Sequence, residues 1–215
     1  IVVSARRIEE RLQDVPISVS AISAQDLSRQ RLDDLSDIAD KTVGFAFETF
    51  TGPLAQPVIR GQTNLRVTSP VQNVATNLNG IYLQRGYFVD QGMLDLERVE
   101  IIKGPQSALY GRNTYSGAIN YITKDPSEDL SLSGRFRVAK YGEVEAAASF
   151  SGQLASGIGF RAGIRHYEYG GQYVNQLTGS KVGKERSDSA YLTLQVEPND
   201  NLKWRTRVMW QRDDD

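Results

Sequence analysis

From Leu130 onward, the chain alternates apolar and polar residues in five long segments. The apolar faces run at every second position through Leu130 to Val138, Val144 to Phe150, Ile158 to Ile164, Ala190 to Val196 and Leu202 to Trp210. Period-two alternation over about ten residues predicts strands long enough to cross a bilayer at a tilt. Because a lipid-exposed sheet edge would leave backbone groups unsatisfied, five strands cannot stand alone there. We therefore expect the complete protein to continue beyond residue 215.

The connections between these segments indicate their orientation. Ala155–Gly157 and Pro198–Asn201 are short and lie at one end, whereas the long stretch from Gly170 to Arg186 lies at the other. Bacterial outer-membrane barrels have short periplasmic turns and longer outer loops. In this arrangement, Trp204 and Trp210 fall near opposite rims of the apolar band, as an aromatic girdle requires.

The first part of the chain has a different, mixed pattern. A strand is predicted from Pro16 to Ile22, and Ser23 followed by Asp26 predicts a helix N-terminus. A second helical stripe runs from Leu32 to Ala39, with acidic residues on its other side that we interpret as a solvated face rather than a metal site. Asn79-Gly80 between β-prone flanks predicts a hairpin turn.

The stretch from Leu96 to Lys124 carries the most specific pattern, LERVEIIKGPQSALYGRNTYSGAINYITK. Two strands are predicted, separated by a Gly104-Pro105 turn and a loop of small residues. This stretch closely resembles the plug of TonB-dependent outer-membrane receptors. Lys103 stands where that family usually has Arg, and Ser116 stands where it usually has Gly. The earlier piece LQDVPISVSAISAQDL also resembles the opening of this plug.

The resemblance implies a fold and a location. The fold would be an α+β plug domain, a small mixed sheet with short helices, followed by antiparallel transmembrane β-barrel strands of an incomplete barrel. Residues 1–5 would be the TonB box, residues 6–126 the plug domain, and residues 127–215 the first five strands of the barrel. The protein would be a fragment of a receptor in the outer membrane of a Gram-negative bacterium, with outer-membrane lipid as one partner.

The N-terminal segment consists of Ile1, Val2, Val3, Ser4 and Ala5. We expect an exposed, extended segment of this composition to be able to add a strand to a partner's sheet edge. In the family that it resembles, such a segment is captured by TonB, the periplasmic energy-coupling protein. The alternative interpretation is an ordinary first strand.

Two further groups of residues are candidates by resemblance. Arg60 and Lys103 would form a lock with glutamates on the barrel wall beyond residue 215, or else they are strand ends that reach the surface. An unpaired buried charge is costly, so each would need a partner if buried. Arg85, Tyr87 and Phe88 would help to line the ligand site, or else pack on the barrel wall.

The polar face of the five segments carries an excess of basic residues, opposed by Glu145. These residues are Arg135, Arg137, Arg161, Arg165, Lys203, Arg205 and Arg207. An inward cationic surface could attract anionic ligands in a narrow cavity. Our preferred interpretation is that these cations pair with acids of the plug or of strands outside this chain.

Composition excludes several functions. The chain has no Cys and one His, so it offers no thiolate metal site, Cys nucleophile or multi-histidine centre. A formal net charge of −1 gives no electrostatic footprint for nucleic acid. The glycines around Lys184 have the wrong spacing for a phosphate-binding loop, and no G-x-S-x-G elbow is present. We expect no enzyme activity, cofactor or bound metal.

The function implied by the resemblance is TonB-dependent active transport of a scarce small-molecule ligand, with the plug gating the barrel. A ferric siderophore is our first choice, and cobalamin or an oligosaccharide is the alternative. Two other classes stay open at this point: a plugged surface protein that binds without transport, and a soluble all-β domain. The sequence leaves open the ligand, its contacts, the barrel residues beyond 215, whether calcium binds the outer loops, and the oligomeric state.

Overall fold

The computed structural model describes residues 1–6, 8, 10–51, 54–62, 72–83, 95–199 and 201–214. The chain forms two compact units, Ile1–Lys124 and Asp125–Asp215, which we call the first unit and the second unit. The sequence predicts the change of pattern after Pro126, and the division falls close to that residue.

The first unit contains short strands and short helices. Its strands are β1 (Val2–Val3), β2 (Glu10–Arg11), β3 (Ser18–Ser23), β4 (Phe45–Thr51), β5 (Leu54–Ile59), β6 (Val74–Leu78), β7 (Ile81–Leu83), β8 (Leu96–Lys103) and β9 (Gly117–Thr123). Its helices are α1 (Ala24–Gln30), α2 (Leu35–Lys41) and α3 (Ser107–Tyr110), with a 3-10 turn at Leu12–Asp14.

Five of these strands form a mixed sheet in the order β3-β8-β9-β6-β7. Strands β6 and β9 are parallel, and the other neighbours are antiparallel. Strand β1 pairs with β2, and β4 pairs with β5, in separate two-stranded sheets. The predicted α+β domain, a small mixed sheet with short helices, is confirmed.

Side-chain caps fix where the first two helices begin. The Ser23 hydroxyl accepts the Asp26 N–H at 3.2 Å, as predicted. Asp34 caps α2 by accepting the Asp37 N–H at 2.7 Å, and the Asp37 carboxylate accepts the Asp33 N–H at 2.9 Å. These acids are partly buried caps rather than the simple solvated face that the sequence predicts, and desolvation raises the pKa of Asp34.

The Asn79-Gly80 turn joins β6 to β7, as predicted. Both residues have positive φ, 49° at Asn79 and 82° at Gly80, which is the geometry of the tight hairpin turn. The Asn79 side chain also bonds Thr123, so the turn is tied to the end of β9. The hairpin therefore closes one edge of the sheet.

The stretch from Leu96 to Lys124 supplies β8 and β9, the centre of the sheet. The short helix α3 between them was not predicted from the sequence. Gly117 begins β9 with φ 155°, and a Cβ there would lie 2.1 Å from the Ile102 carbonyl oxygen. No larger residue fits this position, because β8 and β9 approach each other too closely.

The two faces of the sheet are covered differently. One face packs on the helices and on β4 and β5. Its buried cluster consists of Leu32, Leu35, Ile38, Phe45, Ile59, Val74, Leu96, Val99, Ile101, Ile119 and Tyr121. The opposite face presents small residues, Ala75 and Ala118, beside Ile102, and these pack against Val3 and Ala5 of the N-terminus. The N-terminal segment therefore completes the second face.

The second unit is dominated by long antiparallel strands. Its elements are β10 (Ser131–Ala139), a 3-10 turn (Lys140–Gly142), β11 (Glu143–Ala155), β12 (Ile158–Tyr169), β13 (Tyr173–Val174), β14 (Lys181–Val182), β15 (Glu185–Asn199) and β16 (Leu202–Asp214). Five of them pair in the order β10-β11-β12-β15-β16, with β10 and β16 at the edges. Strands β13 and β14 form a small hairpin within the long predicted loop.

The pairing register confirms the predicted alternation. Leu132 faces Phe150, Phe150 faces Ala162, Ala162 faces Leu192, and Leu192 faces Val208 across successive strands. These positions share one side of the sheet because side chains alternate along a strand. The apolar residues on this side remain exposed, including Leu132, Phe136, Val138, Phe150, Ile164, Leu192, Trp204, Val208 and Trp210. Within the part of the chain that the structure describes, no α-helix is both long and apolar enough to span a membrane.

Candidate functional site: the docked N-terminal segment

The first five residues are held against the first unit. Strand β1 pairs with β2 through Val2–Arg11 and Val3–Glu10, and the Leu12 N–H donates to the Ile1 carbonyl at 3.0 Å. Ile1 is 61% exposed and Val2 is 47% exposed. The sequence predicts an exposed segment throughout, and this expectation fails for Val3 and Ala5, which are fully buried. Their side chains cover the apolar part of the second sheet face, so burial is favourable.

Two side chains hold the backbone of this segment. The Ser4 N–H donates to the Glu100 Oε1 atom at 2.7 Å, and the Ser4 hydroxyl donates to the same oxygen at 3.2 Å. The Tyr110 hydroxyl donates to the Ala5 carbonyl at 2.9 Å. Main-chain hydrogen bonds at Ser4 and Ala5 are thus combined with burial of the Val3 and Ala5 side chains, and together they hold the segment in an extended form.

Glu100 lies at the centre of a buried polar network. Its Oε1 atom accepts from the Arg98 Nε atom at 2.8 Å, and its Oε2 atom accepts from the Asn120 amide at 3.4 Å. The Arg98 guanidinium also donates to Glu97 at 2.6 Å and to the Ser4 hydroxyl at 3.0 Å. A fully buried carboxylate is tolerated in such a position because it is paired and hydrogen-bonded.

Tyr110 is oriented by the same network. The Asn120 amide donates to the Tyr110 hydroxyl at 2.7 Å, and the Asn77 amide donates to the Asn120 carbonyl oxygen at 3.2 Å. Neither Glu100 nor Tyr110 was predicted from the sequence as a site residue. A charge inside the otherwise apolar strand VEII was the signal available for Glu100, because a buried charge requires a partner.

The structure brings Arg60 and Lys103 together at one end of the sheet. The Arg60 backbone N–H donates to the Gly44 carbonyl at 2.9 Å, and the Lys103 side-chain ammonium donates to the Val43 carbonyl at 2.6 Å. Desolvation, and then the neighbouring Arg60 charge, lower the pKa of Lys103. Within the described ranges, no carboxylate forms an ion pair with either side chain. Their predicted role as a lock stays a prediction.

Arg85, Tyr87 and Phe88 lie outside the described residues, in the range 84–94. Their predicted part in ligand binding therefore stays a prediction.

The basic face of the second unit is extensively paired. Glu145, which is fully buried, lies 2.7 Å from Arg135 and 2.8 Å from Arg165 through its Oε1 atom. Arg137 lies 3.1 Å from the Glu145 Oε2 atom and 2.9 Å from Glu143. These contacts join β10, β11 and β12, so the acids involved belong to the second unit itself.

A second set of ion pairs surrounds Asp125. Its two carboxylate oxygens lie 2.7 Å from Lys203 and 2.7 Å from Arg205. The preferred interpretation from the sequence placed the acidic partners in the plug or in strands outside this chain. For Arg135, Arg137 and Arg165 the observed partners, Glu143 and Glu145, lie in the second unit instead. Asp125, the partner of Lys203 and Arg205, lies within residues 6–126, the range predicted for the plug. A local register places the acids beside the cations, which the sequence alone does not specify.

The metal-ligating side chains of the described residues do not gather into one site. Among them, no group of three or more His, Cys, Asp or Glu side chains could hold a metal ion. His166 forms a pair with Asp188 at 2.6 Å, with both side chains partly exposed.

Comparison with known proteins gives three kinds of match. The family model of the TonB-dependent receptor plug domain matches residues 11–118, half of the chain. The chain is 29% identical over 217 residues to the vitamin B12 transporter BtuB of Vibrio vulnificus, covering 98% of this chain and 34% of the transporter. It is 27% identical over 148 residues to the ferrichrome outer membrane transporter/phage receptor of Escherichia coli, covering 66% and 19%.

A third relative is the metal-pseudopaline receptor CntO of Pseudomonas aeruginosa, 33% identical over 129 residues, covering 59% of this chain and 17% of the receptor. The chain therefore spans about a third or less of the length of these relatives.

Solved structures show the same fold. The ferric yersiniabactin uptake receptor FyuA from Yersinia pestis superposes with a TM-score of 0.73 at 22% identity, covering 92% of this chain and 31% of that one. The ferripyoverdine receptor of the Pseudomonas aeruginosa outer membrane superposes with a TM-score of 0.80 at 16% identity, covering 99% and 27%. The chain thus has the fold of the corresponding part of these receptors.

Proposed function

Since the chain belongs to the TonB-dependent receptor family, we propose that the whole protein transports a scarce ligand across the outer membrane with energy supplied through TonB. This family consists of receptors and transporters, and the relatives described above are outer-membrane proteins. In this proposal, residues 1–5 are the TonB box, residues 6–126 form the plug, and residues 127–215 form the first five strands of the barrel.

The observation that carries this proposal is the way in which the N-terminal segment is held. Ser4 and Ala5 contact the first unit through main-chain groups, and the segment is extended. Capture by strand addition requires an extended segment with available N–H and C=O groups. Release of Ile1–Ala5 from the first unit would free such a segment, and a pull on it would act directly on the sheet that it covers.

The second unit supports the membrane part of the proposal. One side of its sheet exposes large apolar side chains, with Trp204 and Trp210 both 56% exposed on β16. Six residues of strand span about 20 Å along the strand and about 15 Å along the bilayer normal at a tilt of about 40°, so both Trp side chains fit within an apolar band about 25 Å tall. Outer-membrane lipid is the proposed partner of this side, and further strands would close the barrel in the whole protein.

For the ligand, we propose a ferric siderophore. The ferrichrome transporter of Escherichia coli and the metal-pseudopaline receptor of Pseudomonas aeruginosa are both relatives of this chain. Cobalamin is the second candidate, because the match to the vitamin B12 transporter extends over 98% of this chain. If the ligand is an oligosaccharide, or if the protein binds its ligand without transport, the uptake experiment below would give a different result.

Two groups of residues have proposed roles in this function. Arg60 and Lys103 would lock the plug to glutamates of the barrel wall, since both are cationic, close together and without a carboxylate partner among the described residues. Arg85, Tyr87 and Phe88 would contact the ligand.

Uptake by cells that carry the full-length gene tests the proposal. Cells lacking their own receptors would be supplied with radiolabelled ferrichrome or cyanocobalamin. We expect uptake of one ligand, loss of uptake when the proton gradient is collapsed, and loss of uptake with retained binding when residues 1–5 are deleted. Ile8→Ala, at a 54% exposed position just outside the segment, is the matched control.

Two results would contradict the proposal. Uptake that persists after deletion of residues 1–5 would exclude the TonB box, and binding without any accumulation would indicate a non-transporting receptor. Induction of the gene under iron starvation, but not during growth on glycans, would support the siderophore over the oligosaccharide.

A further inference from the structure

We propose that the start of the second unit is an anchor, which holds residues 125–127 on the strands of that unit and keeps a pull on the first unit from reaching β10. The anchor consists of residues 125–127 and of the side chains that contact them, Lys203, Arg205 and Ser151. The pull itself rests on the proposed function, since it would come through TonB. The hold on residues 125–127 does not.

Asp125, the first residue of the second unit, is held by two cations. Its carboxylate oxygens lie 2.7 Å from the Lys203 Nζ atom and 2.7 Å from the Arg205 Nη1 atom. Positions 203 and 205 lie on one side of β16, because side chains alternate along a strand. Both cations can therefore reach the same carboxylate, which ties the chain at residue 125 to a strand 78 positions further on.

Pro126 and Ser127 contact two further strands. The Ser127 N–H donates to the Ser151 hydroxyl on β11 at 2.9 Å, and the Ser151 hydroxyl donates to the Phe160 carbonyl on β12 at 3.1 Å. A Cβ at Gly159 of β12 would lie 2.7 Å from the Pro126 Cβ atom, so the lack of a side chain at this glycine leaves room for the proline. The anchor thus contacts β11, β12 and β16.

The first unit holds its own last residue. The Lys124 N–H donates to the Asp95 carbonyl at 3.1 Å, and the Lys124 ammonium lies 3.8 Å from the Asp95 carboxylate. Lys124 and Asp125 are consecutive, so each unit fixes the chain at its own side of the division. No loose segment lies between these two residues that could lengthen when the first unit is displaced. A pull on the first unit would therefore load the anchor at once.

The load would otherwise fall on β10, which begins at Ser131. A pull on one end of an antiparallel strand acts on its ladder hydrogen bonds in turn, so the strand is peeled away bond by bond. In the anchor, two ion pairs and one hydrogen bond carry the load together and pass it to three other strands. Each ion pair alone is modest, because the Asp125 side chain is 44% exposed and that of Lys203 is 48% exposed. Resistance to the pull thus depends on contacts that act in parallel.

Hydrogen exchange of the Ser127 amide measures the anchor directly, because this N–H donates to Ser151. Full-length protein in detergent would be used. We expect Asp125→Asn, which removes both ion pairs but keeps the side-chain shape, to raise the exchange rate by about threefold to tenfold. Lys203→Gln removes one pair and should raise the rate by about twofold to fourfold. Glu128→Gln, at an exposed position of the same stretch, is the matched control and should change the rate by less than about twofold.

An exchange of charges separates the ion pairs from other effects of residue 125. Asp125→Arg alone places three cations together and should raise the exchange rate of the Ser127 amide more than Asp125→Asn does. Adding Arg205→Asp restores a pair of opposite charges and should bring the rate back to within about threefold of that of the unaltered protein. A double variant that exchanges as fast as Asp125→Arg alone would show that Arg205 does not hold residue 125.

Single-molecule pulling tests whether the anchor bears load. The full-length protein would be held in a lipid bilayer, and force would be applied to residue 1. We expect extension to halt when residues 1–124 are drawn out, at about 410–450 Å for about 3.3–3.6 Å per residue. In Asp125→Asn, the halt at constant force should be shorter by at least about threefold. The next step should add about 50 Å, because residues 125–139 then follow.

Two results would overturn the anchor. One is an exchange rate of the Ser127 amide that rises equally in Asp125→Asn and Glu128→Gln, or in neither. The other is a halt that lasts equally long in Asp125→Asn and in the unaltered protein. Neither measurement uses TonB or a transported ligand. An uptake experiment that finds no transport would therefore contradict the proposed function and leave the anchor intact.

Discussion

Glu100 in the first unit and Glu145 in the second are both fully buried strand carboxylates paired with arginine, but their surroundings differ. Glu145 is contacted by Arg135, Arg137 and Arg165, all on its own sheet. Glu100 has one arginine, Arg98, which it shares with Glu97, and part of its hydrogen bonding comes from Ser4 at the chain terminus.

The two carboxylates therefore make two kinds of connection. The ion pairs of Glu145 connect strands of one sheet permanently, which we call a fixed joint, whereas the contacts of Glu100 with Ser4 can be released, which we call an exchangeable joint. Around Glu145 the cations outnumber the acid, so the carboxylate holds together three strands that would otherwise place like charges side by side. Around Glu100 the two acids outnumber the single cation, so the carboxylate keeps acceptor capacity that a backbone N–H can fill. The same residue type thus joins strands in one unit and binds a detachable segment in the other.

The largest effect is expected from Glu145→Gln. This change removes the counter-charge that Arg135 and Arg165 share, whereas Arg137 keeps its contact with Glu143. Breaking a buried ion pair costs roughly 3–5 kcal/mol. We expect the free energy of unfolding of the full-length protein, measured by reversible urea unfolding in lipid vesicles, to fall by about that amount.

Glu143→Gln is the control for this change. Glu143 pairs with Arg137 at 2.9 Å, and its side chain is 23% exposed, so the loss should be at most about 1 kcal/mol. Equal losses in the two variants would show that Glu145 is not the joint of the cluster.

Glu100→Gln should cost less, although both carboxylates are fully buried. Arg98 keeps its contact with Glu97 at 2.6 Å, so no cation is left without a partner. We expect a decrease of about 1–3 kcal/mol in the stability of the first unit, the usual penalty for weakening hydrogen bonds to a buried charged group. Amide hydrogen exchange of β8 and β9 in the full-length protein would measure it. A loss larger than that of Glu145→Gln would reverse the comparison.

Much of this organisation follows from the sequence. The apolar alternation predicts the strands of the second unit, the Asn79-Gly80 turn predicts the β6–β7 hairpin, and the Ser23 cap predicts the start of α1. Each of these features depends on residues that are close together in the chain. Local rules of this kind, turn chemistry, capping and periodicity, are sufficient there.

The docking of residues 1–5 on the first unit and the ion pairs of the second unit do not follow from local rules. Ser4 and Glu100 are separated by 96 positions. A short apolar segment is predicted to be exposed as long as the surface that it packs against is unknown. Likewise, the excess of basic residues is visible in the sequence, but the shared role of Glu145 depends on the strand register. The helix α3 was missed because four residues are too few for a periodic signal.

Ser4→Ala provides a smaller and more selective test of the exchangeable joint. It removes the hydroxyl contacts to Glu100 and Arg98 but keeps the backbone N–H that Glu100 accepts. We expect a loss of about 0.5–1.5 kcal/mol in the opening free energy of residues 1–5, measured by hydrogen exchange of the β1–β2 pair. Combining it with Glu100→Gln should give less than the sum of the two losses, because the residues are in contact. Additive losses would mean that Ser4 and Glu100 act independently.

The smallest effect concerns Arg60 and Lys103. These two cations lie close together, and among the described residues no carboxylate pairs with them. Desolvation and the Arg60 charge lower the pKa of Lys103, so between this lowered value and the ordinary one near 10.5 the unfolded chain binds more protons than the folded chain. Stability should therefore rise with pH in that window.

We expect Arg60→Gln to raise the pKa of Lys103 towards its ordinary value and to flatten this pH dependence, as followed by NMR of labelled lysine side chains in the 215-residue chain in detergent. Arg29→Gln, on α1, is the matched control and should leave the pKa unchanged. If the full-length protein instead shows a raised pKa at Lys103, a carboxylate has reached the pair, and this site belongs with the fixed joints such as that of Glu145.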